Sequence, residues 1–192
     1  MSTTTMATSK RLPGEQGVWI FVAADMMIFG VLFASFVIER SKKVDLYNLS
    51  QLALDFNIGG INTLILLTSS WFVVLAVHAA KVDKLKQLPW FLGFAILTGM
   101  AFLGLKIFEY TTKIQAGISM LTNDFYMFYF VMTGLHMLHV IGGTVVLIVL
   151  WNKARAGDYH SRNFTGLESG ATFWHMVDLL WIVLFPLLYL MR

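Results

Sequence analysis

Five long apolar runs constrain the fold of this chain more than any other feature of its sequence. They cover approximately residues 17–38, 58–80, 88–110, 125–151 and 169–191. Each is at least as long as the roughly 20 residues that a helix needs to cross the hydrocarbon core of a bilayer. Backbone groups in lipid must be hydrogen-bonded within the protein, which a helix achieves within its own segment. The sequence therefore predicts an all-α integral membrane bundle of five transmembrane helices, with residues 1–192 as a single membrane domain.

The composition excludes several other classes of protein. Hydrophobic residues make up 57% of the chain and charged residues only 13%, whereas soluble domains contain about 25% charged residues. Cysteine is absent, which excludes disulfides, thiolate metal sites and a cysteine nucleophile. The 14 Lys and Arg residues lie in short loops and give a net charge of only +3. This distribution is typical of membrane topology rather than of a nucleic-acid surface, so no nucleic-acid partner is predicted.

The basic residues also predict an orientation. Successive spans alternate in direction, so the cations can be assigned to two sides of the membrane. One side has eight cations, Lys10, Arg11, Lys81, Lys84, Lys86, Lys153, Arg155 and Arg162, and the other has six, Arg40, Lys42, Lys43, Lys106, Lys113 and Arg192. Cytoplasmic loops carry the excess of Lys and Arg, so the sequence predicts a cytoplasmic N-terminus.

Ionisable side chains inside the apolar runs are the candidate site residues. They are Asp25, Glu109, His136, His139, Glu168, His175 and Asp178. An ionisable group facing lipid costs about 2.5 to 3.5 kcal/mol on insertion scales, so these side chains should face protein. Two roles remain open for Asp25: a protonated acid that bonds a neighbouring helix, or a group that handles protons. Glu109 lies three residues after Lys106, so the two can pair with each other or extend to the lipid headgroups.

The last span carries three of these residues on one helix face. Positions seven apart nearly superimpose at 100° per residue, and positions three apart differ by about 60°, so Glu168, His175 and Asp178 point the same way. We expect this face to meet His136 and His139 of the fourth span. Counting along the helices also places Asp25, His139, His175 and Asp178 at a similar depth. The sequence therefore predicts one buried, proton-linked polar network.

The spacing of these residues argues against a bound metal. A di-metal site in a helical bundle has Glu-x-x-His on two helices, and zinc sites in helices prefer His residues four apart. His136 and His139 are three apart, and the sequence contains no Glu-x-x-His. We therefore expect a structural network without metal and no catalytic residue. Haem held between His136 or His139 and His175 stays open as an alternative, and with it an autonomous haem- or metal-binding membrane enzyme.

Several segments, in order along the chain, resemble subunit III of the haem-copper respiratory oxidases. GVWIFVAADMMIFGVLFASF is similar to that family's helix with a buried acid, here Asp25, and INTLILLTSS to the helix after it. LGLKIFEY resembles the helix that ends in Glu-Tyr. TGLHMLHVIGG resembles the family's Thr-Gly-x-His-x-x-His-Val pattern through Thr133, Gly134, His136, His139 and Val140. ESGATFWHMVDLLWIVLFPLLY resembles its terminal pattern through Glu168, Trp174, His175, Val177, Asp178 and Trp181.

The resemblance implies an accessory subunit of the aerobic respiratory chain. Such a subunit binds no haem or copper itself, packs beside the catalytic subunit that does, and holds phospholipid in a cleft between its helices. It supports proton uptake and the stability of the catalytic subunit in electron transport. The implied location is a bacterial-type inner (cytoplasmic) membrane, crossed several times. In this family the buried acid of the first span, here Asp25, is implied to act in proton uptake.

Three features differ from the long form of the family. Mitochondrial-type subunits have two further N-terminal helices. The first-span acid is Asp25, as in the shorter quinol-oxidase type, where the long form has Glu. The run NTLILLTSSWFVVLAV is similar to subunit-III-like proteins associated with nitric oxide reductase. An accessory protein of a nitric oxide reductase is therefore the alternative within the same superfamily.

Overall fold

The computed structural model describes residues 14–160 and 163–191. This part of the chain folds into six α-helices and one π-helical turn. They are α1 (Gln16–Lys42), α2 (Val44–Leu52), α3 (Phe56–Lys81), α4 (Leu88–Gln115), α5 (Asp124–Ala156), α6 (Thr165–Phe185) and the π-helical turn Pro186–Leu190.

The predicted all-α bundle of five transmembrane helices is confirmed. Within the described residues, α1, α3, α4, α5 and α6 with its π-helical turn are each long and apolar enough to cross a membrane. Each contains one of the predicted apolar runs almost entirely, and most helices continue past it by several residues. The extensions are polar and lie where the helices leave the apolar layer. Hydropathy marks the apolar part of a helix but does not show at which residue the helix ends. α2 is a short helix within the polar segment that follows the first span.

Side chains at the helix ends explain where two of the spans begin. The Asp55 carboxylate accepts hydrogen bonds from the backbone N–H groups of Asn57 and Ile58 at the start of α3. Asn123 accepts one from the N–H of Tyr126 at the start of α5. Both residues satisfy N–H groups that the first helical turn leaves unpaired.

Helix α6 is the centre of the bundle. It packs against α1, α3 and α5, while α4 packs between α3 and α5. Two glycines create the space that its largest side chain needs. A Cβ atom at Gly143 would lie 2.7 Å from the Trp174 ring, and one at Gly99 would lie 2.9 Å from it. The Trp174 indole therefore lies in a slot between α4 and α5.

Ion pairs and hydrogen bonds between helix ends define the two sides of the bundle. On one side Lys81 pairs with Glu168, and the N–H of Glu15 donates to Ser169. We call this the Lys81 side. On the other side Lys43 pairs with Asp124, and the Arg40 guanidinium donates to the carbonyl of Met191. We call this the Lys43 side.

Successive loops lie on alternate sides of the bundle, so the cations in them fall on the sides to which the sequence assigned them, with one exception. Lys106 was assigned to the Lys43 side, but it is fully buried within the bundle. Four of the counted cations, Lys10, Arg11, Arg162 and Arg192, lie outside the described residues.

Candidate functional site

Asp25 of α1 and His139 of α5 form a close pair inside the bundle. His139 Nε2 lies 2.7 Å from Asp25 Oδ2, and the two side chains are only 19% and 10% exposed. The edge of the Phe29 ring packs against the imidazole, with ring centres 5.7 Å apart. His139 Nδ1 donates to the backbone carbonyl of Leu135 over 2.8 Å. The imidazole is therefore held in one orientation, with its other nitrogen towards the acid.

The hydrogen bonds of His139 limit where protons can reside. A carbonyl oxygen only accepts, so Nδ1 must carry a hydrogen. In the neutral imidazole Nε2 then carries no hydrogen. This nitrogen faces Asp25, 2.7 Å from Oδ2.

Glu109 belongs to a separate buried group on the Lys43 side. Its carboxylate accepts a hydrogen bond of 2.8 Å from Lys106, one of 2.8 Å from Tyr129 and one of 2.7 Å from Tyr189. Lys106 also donates to the Tyr189 oxygen over 2.9 Å and lies 4.7 Å from the centre of the Trp181 ring. The sequence left two possibilities for Lys106 and Glu109, a pair with each other or extension to the lipid headgroups. In the structure they pair with each other inside the protein.

His136 lies in an aromatic environment. Its ring is 5.1 Å from Trp181, tilted by 31°, and the edge of Phe102 approaches it at 5.6 Å. The residue is fully buried. Neither ring nitrogen has a hydrogen-bond partner among the residues that the structure describes.

The polar face of α6 meets α3. Glu168 pairs with Lys81 over 2.8 Å, and His175 Nδ1 lies 2.7 Å from the hydroxyl of Ser70. Asp178 Oδ2 is 3.9 Å from the same nitrogen of His175. Asp178 is only 3% exposed.

The expectation of one continuous network is therefore wrong. The seven predicted residues divide into separate groups, because the face of α6 that carries Glu168, His175 and Asp178 is turned towards α3. On α5, His136 and His139 are about 60° apart around the helix axis, which directs His139 to α1 and His136 to α4 and α6. The proton-linked role given to these residues stays a prediction.

Comparison with known proteins identifies the family. The family of cytochrome c oxidase subunit III matches residues 3–192 of this chain. The chain belongs to the cytochrome c oxidase subunit III family. Cytochrome c oxidase subunit 3 of Thermostichus vulcanus is 34% identical to the chain over 176 residues, which cover 91% of the chain and 86% of that protein. The subunit 3 of Alkalihalophilus pseudofirmus is 32% identical over 179 residues, which cover 91% of the chain and 85% of that protein.

A third relative has a compound name. The haem-copper oxidase subunit I+III of Aeropyrum pernix is 30% identical over 183 residues, which cover 92% of this chain and 22% of that protein. Together these similarities confirm the resemblance found from the motifs. The chain is an accessory subunit III of a haem-copper oxidase and a multi-pass membrane protein. They do not favour the nitric oxide reductase alternative or an autonomous haem enzyme.

Three of the candidate histidines have close neighbours at their rings. His139 Nδ1 bonds the Leu135 carbonyl and its Nε2 lies 2.7 Å from Asp25, while His175 Nδ1 lies 2.7 Å from the Ser70 hydroxyl. His136 lies against Trp181 and Phe102, which fill the space beside its ring. Within the described ranges, no three His, Asp or Glu side chains come together as a metal site.

Sequence reasoning missed several residues that complete these groups. The hydroxyls of Tyr129 and Tyr189 both bond Glu109 in the interior. The Ser70 hydroxyl bonds His175. Serine and tyrosine are common in membrane helices, so nothing in their spacing distinguishes these positions.

Proposed function

We propose that this subunit III binds the catalytic subunit of a haem-copper oxidase in a bacterial inner membrane and supports its proton uptake through Asp25 and His139. The chain itself holds neither haem nor copper. Its N-terminus and its Lys81 side face the cytoplasm. The observation that carries the proposal is the buried pair of Asp25 and His139, whose Oδ2 and Nε2 atoms lie 2.7 Å apart.

The position of Asp25 suits exchange of protons with the cytoplasmic side. It lies nine residues after the start of α1, which is about 14 Å along the helix from the Lys81 side. Intramembrane carboxylates are costly and are mostly found where protons or ions are handled. The remaining 19% exposure of the His139 side chain leaves one edge of the pair open to a neighbouring subunit or to water.

The partner is inferred from a relative. The name of the Aeropyrum pernix protein joins subunits I and III in one chain, which supports direct packing of this chain against a catalytic subunit I.

A groove between α4 and α5 supports the binding of phospholipid. It has a volume of about 500 Å³ and is lined by Trp90, Phe94, Leu97 and Trp151. Arg155 closes its end on the Lys81 side, with its guanidinium 4.7 Å from the Trp151 ring. An acyl chain fits the apolar part, and Arg155 is placed to bind a lipid phosphate at headgroup depth.

Purification in mild detergent tests the assignment of partner and cofactor. We expect a haem-containing catalytic subunit and bound phospholipid to purify with the chain. After the subunits are separated, all haem absorbance should remain with the catalytic subunit. Stoichiometric haem or metal on the isolated chain would refute the proposal.

The variant Asp25→Asn tests the role of the pair. The Asn amide can donate to His139 Nε2 and keep the contact, so assembly should be normal. It cannot exchange a proton, so we expect proton uptake during turnover, or the lifetime of the working oxidase, to fall severalfold. Asp45→Asn, an exposed acid on α2, is the control and should change neither. Unchanged uptake and lifetime in Asp25→Asn would leave Asp25 as a structural residue.

A further inference from the structure

A second titratable cluster, separate from Asp25, lies between α3 and α6. The two helices border a groove of about 350 Å³ on the Lys81 side. Its polar lining consists of His78 and Lys81 from α3 and Glu168, Thr172 and His175 from α6, and its remaining surface is Val and Ala. The ion pair of Lys81 and Glu168 marks its outer end, because Glu168 lies in the first turn of α6.

His175 forms the inner end of this groove. Its side chain is 37% exposed, whereas that of Asp178 behind it is 4% exposed. The distance from His175 Nδ1 to Asp178 Oδ2 is 3.9 Å, too long for a direct hydrogen bond and short enough for a bridging water or a small rotation of the ring. Asp178 is therefore reached from the groove past the imidazole.

The surroundings of Asp178 favour its neutral form. Neither of its oxygens has a hydrogen-bond partner within the ranges that the structure describes. A carboxylate without a donor or a paired cation is strongly disfavoured in such an interior.

The other titratable groups on the helices around α6 are mostly engaged. Lys81 of α3 is paired with Glu168, and His139 of α5 is paired with Asp25 of α1. His78 of α3 lines the groove, and the ring of His136 of α5 lies beside Trp181. His175 is thus the basic group that contacts Asp178.

Ser70, His175 and Asp178 do not form a nucleophilic triad. In such a triad the serine and the acid bond opposite nitrogens of the imidazole, so that the acid orients the base. Here the hydroxyl and the carboxyl both lie at Nδ1. The arrangement suits transfer of a proton between the acid and the ring.

We propose that the groove admits water from the Lys81 side and that His175 passes protons between this water and a neutral Asp178. On release, the Asp178 O–H bond breaks, the imidazole takes the proton and then gives one proton to water in the groove. Uptake is the reverse, and each direction transfers one proton without a redox step. The site is distinct from the pair of Asp25 and His139 and does not rest on the function proposed for that pair.

Infrared spectroscopy of the intact complex in membranes tests the protonation and the route. We expect a carboxylic acid C=O band that is missing in Asp178→Asn and that shifts on transfer to D2O. In His175→Phe the shift should slow on the order of 100-fold, the low end of what a positioned proton-transfer group contributes. Asp45→Asn, which changes an exposed acid on α2, is the control and should leave both the band and its exchange rate unchanged. A band unaffected by Asp178→Asn, or an unchanged exchange rate in His175→Phe, would overturn the proposal.

Cysteine labelling tests the water in the groove without altering the buried residues. The chain has no cysteine, so a single introduced thiol is its only reactive one. Thr172 lines the groove seven residues after the start of α6, and Val149 is seven residues before the end of α5 at the same side and is 49% exposed. A charged, water-soluble thiol reagent should label Thr172→Cys and leave Val149→Cys at background. Equal labelling of the two would refute a water-filled groove.

Discussion

Lys106 shows how the bundle accommodates a full charge in its interior. The side chain is completely buried. Its ammonium group donates to Glu109 and to the Tyr189 oxygen, and it also faces the Trp181 ring. Tyr129 and Tyr189 donate to the remaining oxygen of Glu109, so charge and hydrogen bonds are satisfied within a single group. Such a group is stable as a whole and costly to break in part.

Removing one partner of this pair should therefore destabilise the protein more than removing both. We expect Lys106→Met or Glu109→Gln to lower the free energy of unfolding by about 3 to 5 kcal/mol, and the double variant to cost less than Lys106→Met alone. The measurement is denaturant unfolding in detergent. The matched control is the exposed pair of Glu39 and Lys42, which has the same three-residue spacing and a 2.7 Å contact. Neutralising that pair should cost less than about 1 kcal/mol. Additive effects at Lys106 and Glu109 would contradict this account.

The sequence predicts which residues are polar inside the spans better than it predicts their partners. The spacing of Lys106 and Glu109 indicates that they can pair, and counting along the helices places Asp25 and His139 at a similar depth. The contact of Glu109 with Tyr189 joins residues 80 positions apart and depends on how α6 is rotated against α4. Rotation about a helix axis follows from the packing of all neighbours, which the apolar pattern of a membrane helix does not encode.

At the scale of the helices, one tryptophan and two glycines set the distance between α4, α5 and α6. Gly143 shows the constraint most clearly, because an added Cβ would lie 2.7 Å from the Trp174 ring. The adjacent Gly142 has no atom within 4 Å of an added Cβ. The two glycines are neighbours in sequence, but only Gly143 lies against another helix.

The two glycines should therefore respond differently to the same substitution. We expect Gly143→Ala to destabilise the bundle by about 1 to 3 kcal/mol, because the buried Trp174 ring has no room to move. Gly142→Ala is the control and should be neutral or slightly stabilising, since Ala exceeds Gly in helix propensity by up to about 1 kcal/mol. Thermal unfolding of the two variants compares them directly. Equal losses would mean that Trp174 does not set the spacing.

Helix α2 is held by the buried ring of Tyr47. The ring packs edge-on against Phe36 and Phe125, with centres 5.3 and 5.6 Å away. Burial raises the pKa of the Tyr47 phenol to about 12. The unfolded phenol has a pKa of about 10, so the contribution of this residue to stability is complete below pH 10 and falls as the pH rises towards 12.

Tyrosinate absorbance should report this shift. The titration curve of the native protein minus that of Tyr47→Phe isolates the residue, and its midpoint should lie near pH 12. Tyr47→Phe itself should fold with unchanged stability. It keeps the two ring contacts and removes a hydroxyl that has no hydrogen-bond partner among the described residues. A midpoint near pH 10 would show that α2 is not docked.

At the scale of the whole molecule, the apolar runs were sufficient to predict the five spans and their alternating direction. Length and hydropathy determine these features, because a segment that crosses lipid must pair its own backbone N–H and C=O groups, and a helix does this within the segment. The arrangement of the spans around α6 was not predictable in this way. It depends on close contacts such as the one between Trp174 and Gly143, and on polar pairs that join residues far apart in sequence.

The distribution of cations predicts which side of this arrangement faces the cytoplasm. Lys106 is buried and no longer counts for the Lys43 side. Among the described residues, the Lys81 side has five cations, Lys81, Lys84, Lys86, Lys153 and Arg155, and the Lys43 side has four, Arg40, Lys42, Lys43 and Lys113. Lys113 is only 6% exposed and donates to the carbonyl of Ala53, which leaves three cations near the headgroups on that side. The burial of Lys106 and Lys113 thus increases the difference between the two sides in the number of cations near the headgroups, which is the quantity that the positive-inside rule uses.

Labelling of intact cells tests this orientation. Leu121, in the loop between α4 and α5 on the Lys43 side, is 95% exposed, and Lys84 lies in the exposed loop between α3 and α4 on the Lys81 side. The parent chain has no cysteine, so Leu121→Cys and Lys84→Cys each carry a single thiol. A membrane-impermeant maleimide should label Leu121→Cys in intact cells and label Lys84→Cys only after permeabilisation. The reverse pattern would place the Lys81 side outside the cell. Asp25 and the groove between α3 and α6 would then open to the side from which a haem-copper oxidase cannot draw the protons proposed for them.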